Sequence, residues 1–131
     1  MKSLKHRSTW IAIGAAGVGL LVYLSLTTRP HHILTLSLGP YSLGDKIEHV
    51  LAFATPMLWF GQILRSRPDR IVVAGFLIVL GAVLEWGQWE IGGYPEIEYG
   101  DIIASSLGVA AGWLLLNTRL ARIIHFIDSC L

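Results

Sequence analysis

From Ser8 to Thr28 the chain runs 21 residues without a charge, through IAIGAAGVGLLVYLSL. A helix of that length rises about 30 Å, the depth of a bilayer's hydrocarbon core. Inside hydrocarbon, only helices and closed barrels satisfy every backbone donor and acceptor. The stretch therefore predicts a first transmembrane helix and commits the rest of the chain to a membrane architecture. Composition agrees: of 131 residues, 53% are hydrophobic and 15% charged, against about 25% charged in a soluble domain. A disordered chain and a nucleic-acid binder with a dominant basic face are excluded, since the net charge is only +1. The single cysteine, Cys130, allows neither an intrachain disulfide nor a cysteine metal site. Lys2, Lys5 and Arg7 ahead of the apolar stretch also fit a cleaved signal peptide, but no small-x-small site follows and Thr27-Thr28-Arg29-Pro30 reads as a helix stop.

The apolar pattern predicts an all-α, integral membrane four-helix bundle: one domain over 1–131, with spans at about 8–28, 47–64, 71–89 and 102–117. Residues 29–44 hold two prolines, Gly39, Gly44, His31 and His32, and predict an irregular loop or re-entrant turn. Pro56 should kink the second span. Ile71 to Leu84 is apolar for 14 residues and spans only if Glu85 to Trp89 prolong the helix. Arg65 to Arg70 reads as a polar turn, and Asn117, Arg119 and Arg122 as the watery end of the last span.

Orientation follows the Lys and Arg count. Eight of the ten basic residues fall at the N-terminus, the 65–70 turn and the C-terminal tail, which predicts a multi-pass protein with both termini cytoplasmic and both long loops facing outward. Seven of the nine acids fall on the opposite, outer side, so the small total conceals about +6 inside and −5 outside. Acids contribute little to orientation, so this excess asks for another explanation.

Its sharpest part is Asp45-Lys46-x-x-His49-x-x-x-Phe53. Asp45, His49 and Phe53 share one helical face. Asp45 and Glu48 also fit a helix cap, and Lys46 fits a snorkelling side chain. An ionisable residue such as His49 within a span is costly and marks a site. The third span ends with Glu85 and Gln88 on one face and Trp86 and Trp89 on another, the latter suited to the aromatic belt at the headgroups. The fourth carries Asp101, Ser105, Gly108 and Gly112 on one stripe; the glycines form a GxxxG packing surface, and Ser105 fits a back-bond to the preceding turn. Asp45, His49, Glu85, Gln88 and Asp101 are thereby expected at one depth on three helices.

This order of residues resembles the VanZ-like family of small membrane proteins, over Asp45 to Gly112. The resemblance implies a four-helix membrane protein with Asp45, Lys46, His49, Glu85, Gln88 and Asp101 as a shared polar core, and a link to resistance to the glycopeptide teicoplanin. It brings no settled enzymatic activity. Ser105 stands where the family usually has Asn, and the family's arginine shortly before the last Asp is missing from Pro95, Glu96 and Glu98.

Three functions compete. One is an envelope protein whose outward polar pocket, with Tyr41, Tyr94, Tyr99, Trp86 and Trp89 nearby, holds a lipid-linked or glycopeptide ligand. Another is a structural subunit that packs through its glycines, Gly14, Gly17 and Gly19 or Gly108 and Gly112, into a homo- or hetero-oligomer. The third is an enzyme on a lipid-linked substrate, with His49 as general base or with His49, Glu85 and Asp101 around a divalent ion. With one histidine in the set, no metal and no cofactor are expected, and no nucleophile elbow, HExxH or phosphate loop occurs. Cys130 is expected to be an inert thiol, and His31 and His32 loop residues.

Overall fold

The computed structural model describes residues 3–27, 43–91 and 99–131, with side chains over 3–26, 46–91 and 99–131. Several expectations lie outside the described residues: the 29–44 loop with Arg29, His31, His32 and Tyr41, the acidic stretch with Tyr94, Pro95, Glu96 and Glu98, and the side chain of Asp45. Every described element is helical: α1 (Arg7–Thr27), α2 (Leu43–Ile63), α3 (Arg67–Ile91), α4 (Tyr99–Leu115), a 3-10 turn (Arg119–Arg122) and α5 (Ile123–Cys130).

Local chemistry explains where these helices begin and end. Ser66 accepts from the backbone N–H of Asp69 at 3.3 Å, so Ser66-Arg67-Pro68-Asp69 is an N-terminal cap with proline inside the first turn. Most of the expected 65–70 turn is thus the start of α3. That helix also continues through Glu85 to Ile91. Helix α2 runs on through Pro56. It begins at Leu43, so Asp45 sits in the first turn rather than at the cap, and Asp101 holds the same place in α4. The Asp101 carboxylate there still meets the positive end of the helix dipole.

Helices α1 and α3 are each long and apolar enough to cross a bilayer, and α4 reaches that length only if joined to Arg119–Cys130 across a 74° bend. Helix α2 matches α1 in length but carries Asp45, Lys46 and Glu48 in its first two turns. The outer surface is apolar over much of its length: Val72, Phe76, Val79, Leu107 and Leu114 are all more than half exposed. A surface of that kind suits lipid rather than water.

Phe53, Met57, Leu77, Leu84, Val109 and Leu116 form the main core. Its tightest seam joins α2 to α4. A methyl group at Gly108 would lie 2.4 Å from the Val50 carbonyl oxygen, and one at Gly112 2.6 Å from that of Ala54. The close backbone approach allowed by this glycine pair is thus made within the chain. Trp59 and Phe60 press on Gly14 of α1, whereas Gly17 and Gly19 face open space.

The C-terminal tail does not simply end in water. Trp10, Ile63 and Ile124 make a second core that docks α5 on the ends of α1 and α2. Gln62 accepts from the Ile124 N–H at 3.0 Å, and its own carbonyl accepts from His125 at 3.1 Å. Asp128 accepts from the backbone N–H groups of Lys5 and His6, from the His6 ring and from the Trp10 indole at 2.7–3.1 Å. It therefore caps α1 from the far end of the sequence. This clasp brings the two chain termini to one end of the bundle.

Candidate functional site

At the opposite end, where α2 and α4 begin and α3 finishes, polar side chains meet. The parallel α2 and α4, held close at Gly108, carry Lys46 and His49 alongside Asp101. Lys46 forms an ion pair with Asp101, and His49 Nε2 lies 3.8 Å from the other Asp101 oxygen. Glu85 arrives from the antiparallel α3. His49, Glu85 and Asp101 each bring one potential ligand atom within 4.8 Å of the others. Glu85 and Asp101 are only 6% and 4% exposed. Two buried carboxylates in one cluster repel one another and need a cation or donor between them. Lys46 supplies a positive charge beside Asp101, and the His49 ring brings a nitrogen between the helices.

Three helices thus assemble Lys46, His49, Glu85 and Asp101, while other residues expected there have different roles. Gln88 donates to the Ser25 carbonyl of α1 at 2.7 Å and ties α3 to α1 instead. Ser105 is buried and bonds back to the Asp101 carbonyl at 2.9 Å. It fixes the helical turn that carries the carboxylate, and Gly81 of α3 packs on it. Gly108 and Gly112 shape the seam beneath. Trp86 and Trp89 are 53% and 40% exposed on the outside of α3.

Sequence reasoning undervalued Glu48. One of its carboxylate oxygens is buried and has no hydrogen-bond partner among the described residues. Helical geometry puts Glu48 on the face of Ala52 and Thr55, well away from that of Lys46. Ala52 and Thr55 line an apolar groove of about 410 Å³ between α1 and α2 that also includes Gly17, Leu21, Pro56 and Trp59. A carboxylate two residues from Lys46 and one from His49 in a span was the available signal.

The set can do two kinds of chemistry. Carboxylates facing an imidazole and an ammonium can hold a ligand that carries both donors and an anionic group. Alternatively, one imidazole and two carboxylates can coordinate a hard or borderline divalent cation. Lys46 competes for Asp101 in the second case. No protein-family model, no curated protein and no solved structure matches this chain.

Proposed function

We propose that this chain is a four-span membrane protein of a bacterial inner membrane, with both termini cytoplasmic, that binds an envelope ligand or lipid headgroup in its outward-facing polar cluster. The observation that carries this reading is the convergence of His49, Glu85 and Asp101 from three helices, beside the Lys46 ion pair. A bundle gains little from burying two like charges together, so the arrangement suits a ligand that completes it. The amine or hydroxyls of a headgroup or envelope precursor would meet the carboxylates, and a phosphate or carboxylate would meet Lys46. The groove that starts at Ala52, one turn below His49 and Glu48, would take an acyl or isoprenoid chain.

Four spans with shared ends agree with the clasp between the termini and with the basic residues gathered at that end. The VanZ-like resemblance belongs to the same proposal, and with it a role in glycopeptide tolerance. The test is teicoplanin sensitivity in the native host. Deleting the gene should sensitise the cells, and His49→Ala or Glu85→Ala should fail to restore tolerance while folded protein accumulates in the membrane. Unchanged sensitivity in the deletion strain would refute the protective role.

Two observations favour other readings. The approach of His49, Glu85 and Asp101 suits a divalent ion and an enzyme acting on a lipid-linked substrate; elemental analysis of the purified protein, with zinc and manganese titrations, tests it. The open space beside Gly19 of α1 suits a partner helix in a larger complex, in which case the protein should co-purify with that partner in mild detergent.

A further inference from the structure

At the end of the bundle where the termini meet, arginines from separate elements close around one cavity of about 160 Å³. Arg65 follows α2, Arg70 lies in the first turns of α3, and Arg122 ends the 3-10 turn. His125 of α5 and Asn117 complete the ring. No carboxylate lines it. Asp69, next to Arg70 in sequence, is exposed and does not line it, and Asp128, three residues from His125, is already committed to four donors on the N-terminal segment.

Topology accounts for the number of basic residues at this end but not for their convergence. Helix capping accounts for part of one. Arg70 Nε donates to the carbonyls of Gly61 and Leu64 at 3.0 and 3.3 Å, satisfying the exposed end of α2. Its two terminal amino groups stay uncommitted among the described residues, and neither Arg70 nor Arg122 pairs with a carboxylate there. Guanidinium forks from several directions, with a neutral amide beside them, match the oxygens of a phosphate.

We propose that this cavity binds a phosphate group, either the phosphodiester of an anionic lipid or free phosphate. Its acid-free lining distinguishes it from the acidic cluster at the other end, and it does not depend on what that cluster binds. The test uses full-length protein, delipidated in a neutral detergent, with phosphatidylglycerol or inorganic phosphate as probe. Native mass spectrometry should show retained phosphatidylglycerol, with a matching rise in melting temperature.

Arg122 is exposed and makes no hydrogen bond that holds the fold among the described residues, so Arg122→Gln should fold normally. It should weaken phosphatidylglycerol binding roughly fivefold or more. Arg119→Gln removes the same charge from the same turn but outside the cavity, and should change binding less than about twofold, the screened effect of a distant charge. Displacement of the lipid by millimolar phosphate would identify a site for free phosphate as well; failure to displace it would assign the site to the lipid headgroup. Binding of neither probe, or equal losses in Arg122→Gln and Arg119→Gln, would overturn the proposal.

Discussion

Asp128 and Asp101 are equally buried carboxylates at opposite ends of one bundle, and their surroundings differ in kind. Asp128 accepts from four nitrogen donors, two of them backbone groups at the start of α1 that would otherwise lack partners. Asp101 faces Lys46 but has His49 at 3.8 Å, beyond hydrogen-bond range, and shares its space with Glu85. Glu48, on the neighbouring face of α2 toward the groove rather than in this cluster, keeps a buried oxygen unpaired among the described residues. A closed polar network rigidifies a fold, whereas a partly satisfied one costs stability. The comparison teaches that the clasp is a structural device joining the chain's two ends, whereas the cluster gathers carboxylates, an imidazole and an ammonium from three helices at one place, the arrangement on which the proposed ligand site rests.

The largest effect should come from the seam that holds the cluster together. In Gly108→Leu the new side chain starts 2.4 Å from a backbone oxygen of α2, which cannot rotate away as a side chain would. Overpacking costs about 1–3 kcal/mol even where neighbours can adjust, so α2 and α4 should part and monodisperse protein should largely disappear from size-exclusion profiles. Gly17→Leu, placed against open space, should leave the profile unchanged.

Asp128→Ala comes next. It strands two backbone donors and the Trp10 indole, so the melting temperature should fall and Trp10 emission should shift. Asp128→Asn, which keeps an acceptor, should lose less. The clasp also predicts a pH response. The Trp10 indole bond, with help from the Lys5 and His6 donors and against the opposing effect of burial, holds the Asp128 carboxyl well below its ordinary value. A depressed carboxylate stabilises the fold fully above its unfolded pKa near 3.8. That stability is lost as pH falls below it. Thermal melts should therefore be flat in this contribution near neutrality and decline below about pH 4, and Asp128→Asn should remove that acid-side decline.

Charge-free length made α1 legible, and the Asp45 to Gly112 spacing made Lys46, His49, Glu85 and Asp101 legible, because helical periodicity places residues on faces. Periodicity does not say which neighbour a face meets. Gln88 shares a face with Glu85 yet finds a carbonyl on α1, a tertiary choice made by helix rotation. The clasp was harder still. Its acceptor and donors stand more than 115 residues apart, and Asp128 looks like any polar residue in a basic tail. The pattern IIHFIDSC, with Ile124 and Asp128 four apart, was a trace of α5 that counting apolar spans overlooks. Ser66 and Pro68 did announce the start of α3, but the cluster of arginines around them suggested a turn.

The smallest expected effect sharpens the comparison most. Glu85→Gln keeps the shape of a buried side chain and removes one negative charge beside Asp101. If the cluster were a lock like the clasp, this change should lower the melting temperature as Asp128→Ala does, since a partner would be lost from a closed network. If the cluster holds surplus charge, the variant relieves repulsion while it sacrifices some hydrogen bonding, and the two contributions nearly cancel. The expected change in stability is therefore within about 1 kcal/mol of zero, of either sign, read from denaturant melts in detergent. The same protein should fail in the sensitivity assay, because an amide cannot offer a ligand's cation the carboxylate it needs. Loss of function with stability retained at Glu85, set against loss of stability at Asp128, would separate the two ends by chemistry rather than by position.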